Sequence, residues 1–98
     1  MRYGIITDIH SNYEALSVAV SQLIEDQADV FLCMGDIVGY NASPREVIDL
    51  LMDLDVVAIN GNHDRYLMGQ KSDAVAEEKM DVIDWTRAQL SKEHLAWL

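Results

Sequence analysis

The chain has 98 residues, half of them apolar, with 17 acidic against 7 basic residues and a formal net charge of −10. At this length a chain buries about two-thirds of its unfolded surface, so the composition excludes disorder and describes one domain or part of one. The acidic balance excludes a basic nucleic-acid or anionic-membrane surface, while a phosphorylated small molecule stays compatible through bound cations.

In chain order, the first apolar run, Tyr3–Thr7, reads as a β-strand, and it starts too soon after Met1 for a cleavable leader to precede it. A helix is predicted over Tyr13–Gln27, where Ala15, Leu16, Ala19, Val20, Leu23 and Ile24 recur at helical spacing and Asn12 or Ser11 can cap the start. Val30–Met34 reads as the second strand. It holds Cys33, the single cysteine, which is expected to be a buried small apolar residue and leaves no intrachain disulfide to form. Together with the lack of any apolar run near the roughly 20 residues of a membrane helix, this predicts a reducing, cytoplasmic setting. Ser43-Pro44-Arg45-Glu46 predicts a helix start with a capping box and proline at the first helical position, followed by inward-facing Val47, Ile48, Leu50, Leu51 and Leu54. Val56–Ile59 reads as a third strand.

All three strands are nearly continuous apolar runs, which predicts burial on both faces in a parallel sheet covered by helices. After Asp64, Arg65–Ser72 reads as a loop or short helical turn broken at Gly69. Ala74–Leu90 reads as a helix with Val75, Met80, Val82, Ile83 and Trp85 on or near its apolar side, and Ser91 as the cap of a further helix from Lys92 that carries Leu95, Trp97 and Leu98. The expected fold class is α/β, in the order β-α-β-α-β-α with a mainly parallel sheet. A sheet of three parallel strands would expose an edge, and with the apolar C-terminal helix this gives a route to a homo-oligomer.

Three polar segments follow the strands: Asp8-Ile9-His10, Gly35-Asp36 and Gly61-Asn62-His63-Asp64. In open α/β sheets, ligands bind outside the carboxyl ends of the strands, where all three segments fall. On an extended segment Asp8 and His10, two apart, would point the same way and could meet one metal ion. Asp36 at a strand end could bridge two cations, with Gly35 allowing close backbone approach. Asn62 offers a neutral amide oxygen, and His63 can act as a proton donor near neutral pH. Each segment taken singly also fits an ordinary turn or cap. Asp64 either orients His63 or caps the next helical turn. Tyr40 reads as a loop-packing residue beside a pocket, and Arg65 as a surface residue. What favours chemistry is the repetition of the pattern after three successive strands.

Asp-x-His, Gly-Asp and Gly-Asn-His-Asp, in this order and about 25–30 residues apart, resemble the motifs of the calcineurin-like metallophosphoesterases. The segment from Ile37 to Pro44 resembles small bacterial members related to protein and diadenosine-tetraphosphate phosphatases. The resemblance implies a metallophosphoesterase-type sandwich, of which residues 1–98 would be the N-terminal part of a single domain. It implies a hydrolase of phosphate monoesters or diesters with two divalent transition-metal ions (manganese, iron, zinc or nickel, with manganese the first choice). Asp8 and His10 would ligate the first metal, Asp36 would bridge both, and Asn62 would ligate the second. A hydroxide between the metals would attack phosphorus, and His63 would protonate the leaving group or steady the phosphate. The implied partner is a small phosphorylated substrate, a nucleotide among the choices. Gly39 and Tyr40 stand where the protein-phosphatase branch carries an Asp and an Arg, which points away from that activity. The family's later Gly-His and Gly-His-x-His motifs have no counterpart here, and His94 matches neither. This leaves a second reading, a metal-binding or association module that is catalytically incomplete by itself.

Overall fold

The computed structural model describes residues 1–67 and 77–98. Its elements are β1 (Tyr3–Ile6), α1 (Tyr13–Glu25), β2 (Val30–Cys33), α2 (Pro44–Asp53), β3 (Val57–Ala58), α3 (Asn62–Leu67), α4 (Glu77–Ala88) and α5 (Lys92–Trp97). The strands form one parallel sheet in the order β1-β2-β3, as the apolar runs and intervening helices predict. Parallel neighbours need crossovers, and α1 and α2 supply them.

Register decides which residues reach the core. Ile6 lies beside Cys33 and Cys33 beside Ala58, whereas Ile5 lies beside Leu32 and Leu32 beside Val57. The Cys33 side faces the helices: Cys33 joins Leu16 and Val20 of α1 with Val47, Ile48 and Leu51 of α2 in a buried cluster, and Ile6 and Phe31 pack against it. On the opposite side Tyr3, Ile5 and Val57 are 58%, 64% and 63% exposed. Burial of the strands on both faces is therefore overturned. The described helices cover one side of the sheet, and successive strand residues alternate between that side and an open one.

Helix starts follow local hydrogen bonding. Asn12 caps α1, its side chain accepting from the Ala15 N–H at 3.1 Å. Helix α2 begins at Pro44 as expected, but the Ser43 side chain makes no capping bond, so the capping box there is not formed. The box appears instead at α5. Ser91 Oγ accepts from the His94 N–H at 3.2 Å, and His94 Nδ1 accepts from the Ser91 N–H at 3.1 Å. His94 also reaches Asp49 of α2, Nε2 to Oδ1 at 2.7 Å, and fastens α5 to α2. A helical turn was one of the expectations after Asp64. Helix α3 in fact starts at Asn62 and ends at buried Leu67. Along α4 Ile83 is buried, but Val82 and Trp85 are 36% and 47% exposed, and Thr86 takes the second inward position. Its hydroxyl is satisfied by donating to the Val82 carbonyl at 2.7 Å. Gly69, Ala74 and Val75 lie outside the described residues.

Candidate metal centre

The β1–β2 ladder does not stop where the strands end. The Asp8 N–H donates to the Gly35 carbonyl at 3.1 Å, His10 N–H to Asp36 at 2.9 Å, and Ser11 N–H to Ile37 at 2.9 Å. These bonds lay the first polar segment alongside the second. The geometry differs from the extended one expected for Asp8 and His10. Asp8, His10 and Asp36 have φ of 54°, 49° and 52°, and Ser11 and Tyr40 have 61° and 64°. Asp8 and His10 thus converge through left-handed backbone rather than through strand alternation. Left-handed residues cost roughly 1–2 kcal/mol each, and the surrounding hydrogen bonds must hold them.

The result is a cluster. Asp8, His10 and Asp36 each offer a ligand atom, and the three atoms lie within 4.8 Å of one another. Donors about 2.0–2.2 Å from a common cation stand roughly 3–4 Å apart, so a small contraction would close the set on one ion. The placement of the His10 ring supports the fit. His10 Nδ1 lies 3.4 Å from the Val38 carbonyl and 3.2 Å from His63 Nδ1. His10 Nε2 lies 3.6 Å from Asp8 Oδ1, so the two atoms can face one cation. No lysine or arginine among the described residues forms an ion pair with Asp8 or Asp36. Two carboxylates and one imidazole suit a divalent transition metal and do not choose among the candidates.

His63 reaches the same cluster. Its Nδ1 lies 3.2 Å from His10 Nδ1, and its N–H donates to Asp36 Oδ1 at 3.1 Å. Tyr40, expected as loop packing, stands edge-on to both imidazoles, with ring centroids 5.0 Å from His10 and 4.4 Å from His63. It is 56% exposed, so it forms a wall of the site and not a buried plug. Asn62 occupies the first position of α3 and is exposed.

Asp64 is the residue whose role the sequence leaves open between two choices. The structure selects neither in full. Fully buried, it accepts from the Gly61 N–H at 3.0 Å, which caps its own helix from the third position. It also accepts from Ile37 and Val38, at 2.9 and 3.1 Å, and so clamps the loop after β2 to the loop after β3. Burial pushes its carboxyl up, the three N–H donors pull it back, and the nearby Asp36 charge adds to the rise. Sequence reading missed the clamp because its partners lie 26 and 27 positions away. The one local signal was an acidic residue three places after Gly61. Gly61 packs against the second segment so closely that a Cβ there would fall 2.6 Å from Asp36 Cγ.

Residues 1–96 match the calcineurin-like phosphoesterase family. The chain belongs to that family. Its fold is the family's as well. A crystal structure of a metallophosphoesterase from Sphaerobacter thermophilus aligns with 99% of this chain at a TM-score of 0.80 and 36% identity. A solved candidate diadenosine tetraphosphatase aligns with 98% at a TM-score of 0.70 and 24% identity, a likeness of fold. An uncharacterized protein of Methanocaldococcus jannaschii is 37% identical over 96 residues, which is 97% of this chain. The chain spans about 40% of the length of each of these relatives. Among the described residues, no helix is long and apolar enough to cross a membrane.

Proposed function

We propose that this chain carries part of the active site of a metal-dependent hydrolase of phosphate monoesters or diesters, built around a binuclear centre. The observation that supports it is the convergence of Asp8, His10 and Asp36 within 4.8 Å at the carboxyl ends of adjacent parallel strands. In this reading Asp8, His10 and Asp36 would hold the cations together with Asn62, with manganese the first choice. Such cations, when bound, lower the pKa of water between them and neutralise charge on phosphoryl oxygens. His63, whose backbone N–H donates to Asp36 Oδ1 and whose ring lies beside His10, would supply a proton to the departing oxygen. The substrate is a small phosphorylated molecule, the setting cytoplasmic, and neither nucleic acid nor membrane is a partner of this acidic surface.

One observation favours the second reading, a half-site that binds metal or associates without turnover by itself. Of the chain's three histidines, His94 is committed to capping α5 and pairing with Asp49. Further nitrogen ligands for a second cation would come from outside these residues.

Manganese titration followed calorimetrically, with hydrolysis of p-nitrophenyl phosphate and its bis-ester, tests both readings. Asp36→Asn should abolish metal uptake and turnover together. His63→Ala should keep the metal and lower turnover about 10²–10⁴-fold. Unchanged turnover in both variants would sink the enzyme reading, and metal uptake without any turnover would favour the half-site.

A further inference from the structure

Beside the cluster, Tyr40, Asn41 and Ala42 on one side and Asp81, Val82 and Trp85 of α4 on the other enclose an open hollow of about 300 Å³. It adjoins the site directly, since the Tyr40 ring that lines it also lies edge-on to His63. Its two aromatic rings are about half exposed, Tyr40 at 56% and Trp85 at 47%, although aromatic side chains of this size are among the most effective groups to bury.

The chemistry of the lining narrows the occupant. Asp81 is exposed and places a carboxylate on the lining, which disfavours a second phosphate there. Aromatic faces favour a flat, neutral ring system, worth about tenfold or more in binding per stacked base. The Asp81 carboxylate accepts only, and the Asn41 amide oxygen is a further acceptor, so the ring should present N–H donors. A volume near 300 Å³ lies at the small end of ligand pockets and suits one bicyclic base.

We infer that the hollow between Tyr40 and Trp85 is a base subsite, which holds an amino-bearing nucleobase of a nucleoside phosphoester while its phosphate lies at Asp8, His10 and Asp36. This rests on the phosphoesterase reading for the phosphate half alone, because base binding needs no metal.

Adenosine binding to the metal-free chain, followed by tryptophan fluorescence and by calorimetry, tests it, with purine riboside, which lacks the exocyclic amino group, as the comparison. Adenosine should bind saturably and more tightly than purine riboside. Trp85→Ala should weaken both by about tenfold or more. Asp81→Asn should erase the preference for adenosine, and both variants should keep the wild-type melting temperature and manganese titration. Adenosine affinity unchanged in Trp85→Ala, or no saturable nucleoside binding at millimolar concentration, overturns the subsite. If manganese still binds in that event, the metal-centre reading survives. Adenosine bound through Trp85 with no manganese uptake supports the subsite and counts against the phosphoesterase reading.

Discussion

Asp64 and Gly39 hold the site together without being candidates for its chemistry. Replacing Asp64 by alanine orphans the N–H groups of Gly61, Ile37 and Val38 in a buried place. Unsatisfied buried donors cost about 1–3 kcal/mol each, so the variant should lose at least about 3 kcal/mol in urea unfolding. It should also bind manganese more weakly than any surface variant, because the loops bearing Asp36 and His63 separate. The sign of the pH dependence follows from burial. The folded Asp64 carboxyl is raised above its unfolded value of about 3.9, so the folded state binds the extra proton in the window above that value. Its contribution is therefore greatest below that window and declines as pH rises through it. Wild-type stability should fall relative to Asp64→Asn as pH increases from about 4. Wild-type stability that rises with pH relative to Asp64→Asn would contradict the assignment. Gly39 has φ of 101°, and a Cβ there would lie 2.7 Å from His63 Nδ1. Gly39→Ala should thus displace His63 from His10, visible as shifted imidazole resonances and lowered turnover with manganese binding retained. Cys33 is 2% exposed, and burial pushes its thiol up, reinforced by the Asp64, Asp8 and Asp36 charges. It should resist thiol reagents at neutral pH until the chain is unfolded, and rapid modification of the native chain would refute this.

At the scale of elements, each helix and strand was legible to within a few residues where the signal was local. The apolar spacing of Leu16, Val20 and Leu23, with Asn12 in front, marks α1, and Pro44 marks the start of α2. The errors arose where a local pattern competes with geometry. Ser43 carries the capping sequence and makes no cap, while Ser91, with histidine rather than glutamate three places on, makes one. A histidine can accept through Nδ1 as glutamine or glutamate would, and its other nitrogen then reaches Asp49. Ser91→Ala should cost about 1 kcal/mol. His94→Ala should cost more, because it removes both the cap and the tie to α2 that seats partly buried Leu95 and Trp97. Equal losses in thermal unfolding would mean that the Asp49 pair contributes nothing. Helix α3 was read too late in the chain because Asn-Gly-Asn resembles a turn, and only the Asp64 clamp shows that the helix begins at Asn62.

The whole molecule is longer than it is wide, 42 × 21 × 21 Å, with a radius of gyration of 13.5 Å. A compact chain of this length would have about 12.6 Å. Tyr3, Ile5 and Val57 on the open side of the sheet, and Ile59 just after β3, are all more than half exposed among the described residues. Apolar surface grouped in this way favours association. The chain alone in solution should form larger species as its concentration rises, and Ile5→Lys should suppress them without lowering stability, as read by sedimentation velocity. Identical sedimentation of the two proteins would show that this face is not where copies meet.

Residue type and order determined the strands, the first two helices and the motif residues at the strand ends, because those depend on local apolar spacing, capping groups and glycine. Three things depended on tertiary structure. Left-handed backbone, not strand alternation, brings Asp8 and His10 together, and it is held by hydrogen bonds to residues 35 and 36. Asp64 fastens two loops through donors far away in the chain. Among the described residues the apolar strands are open on one side, since a continuous apolar run records what a strand can bury and not what lies against it.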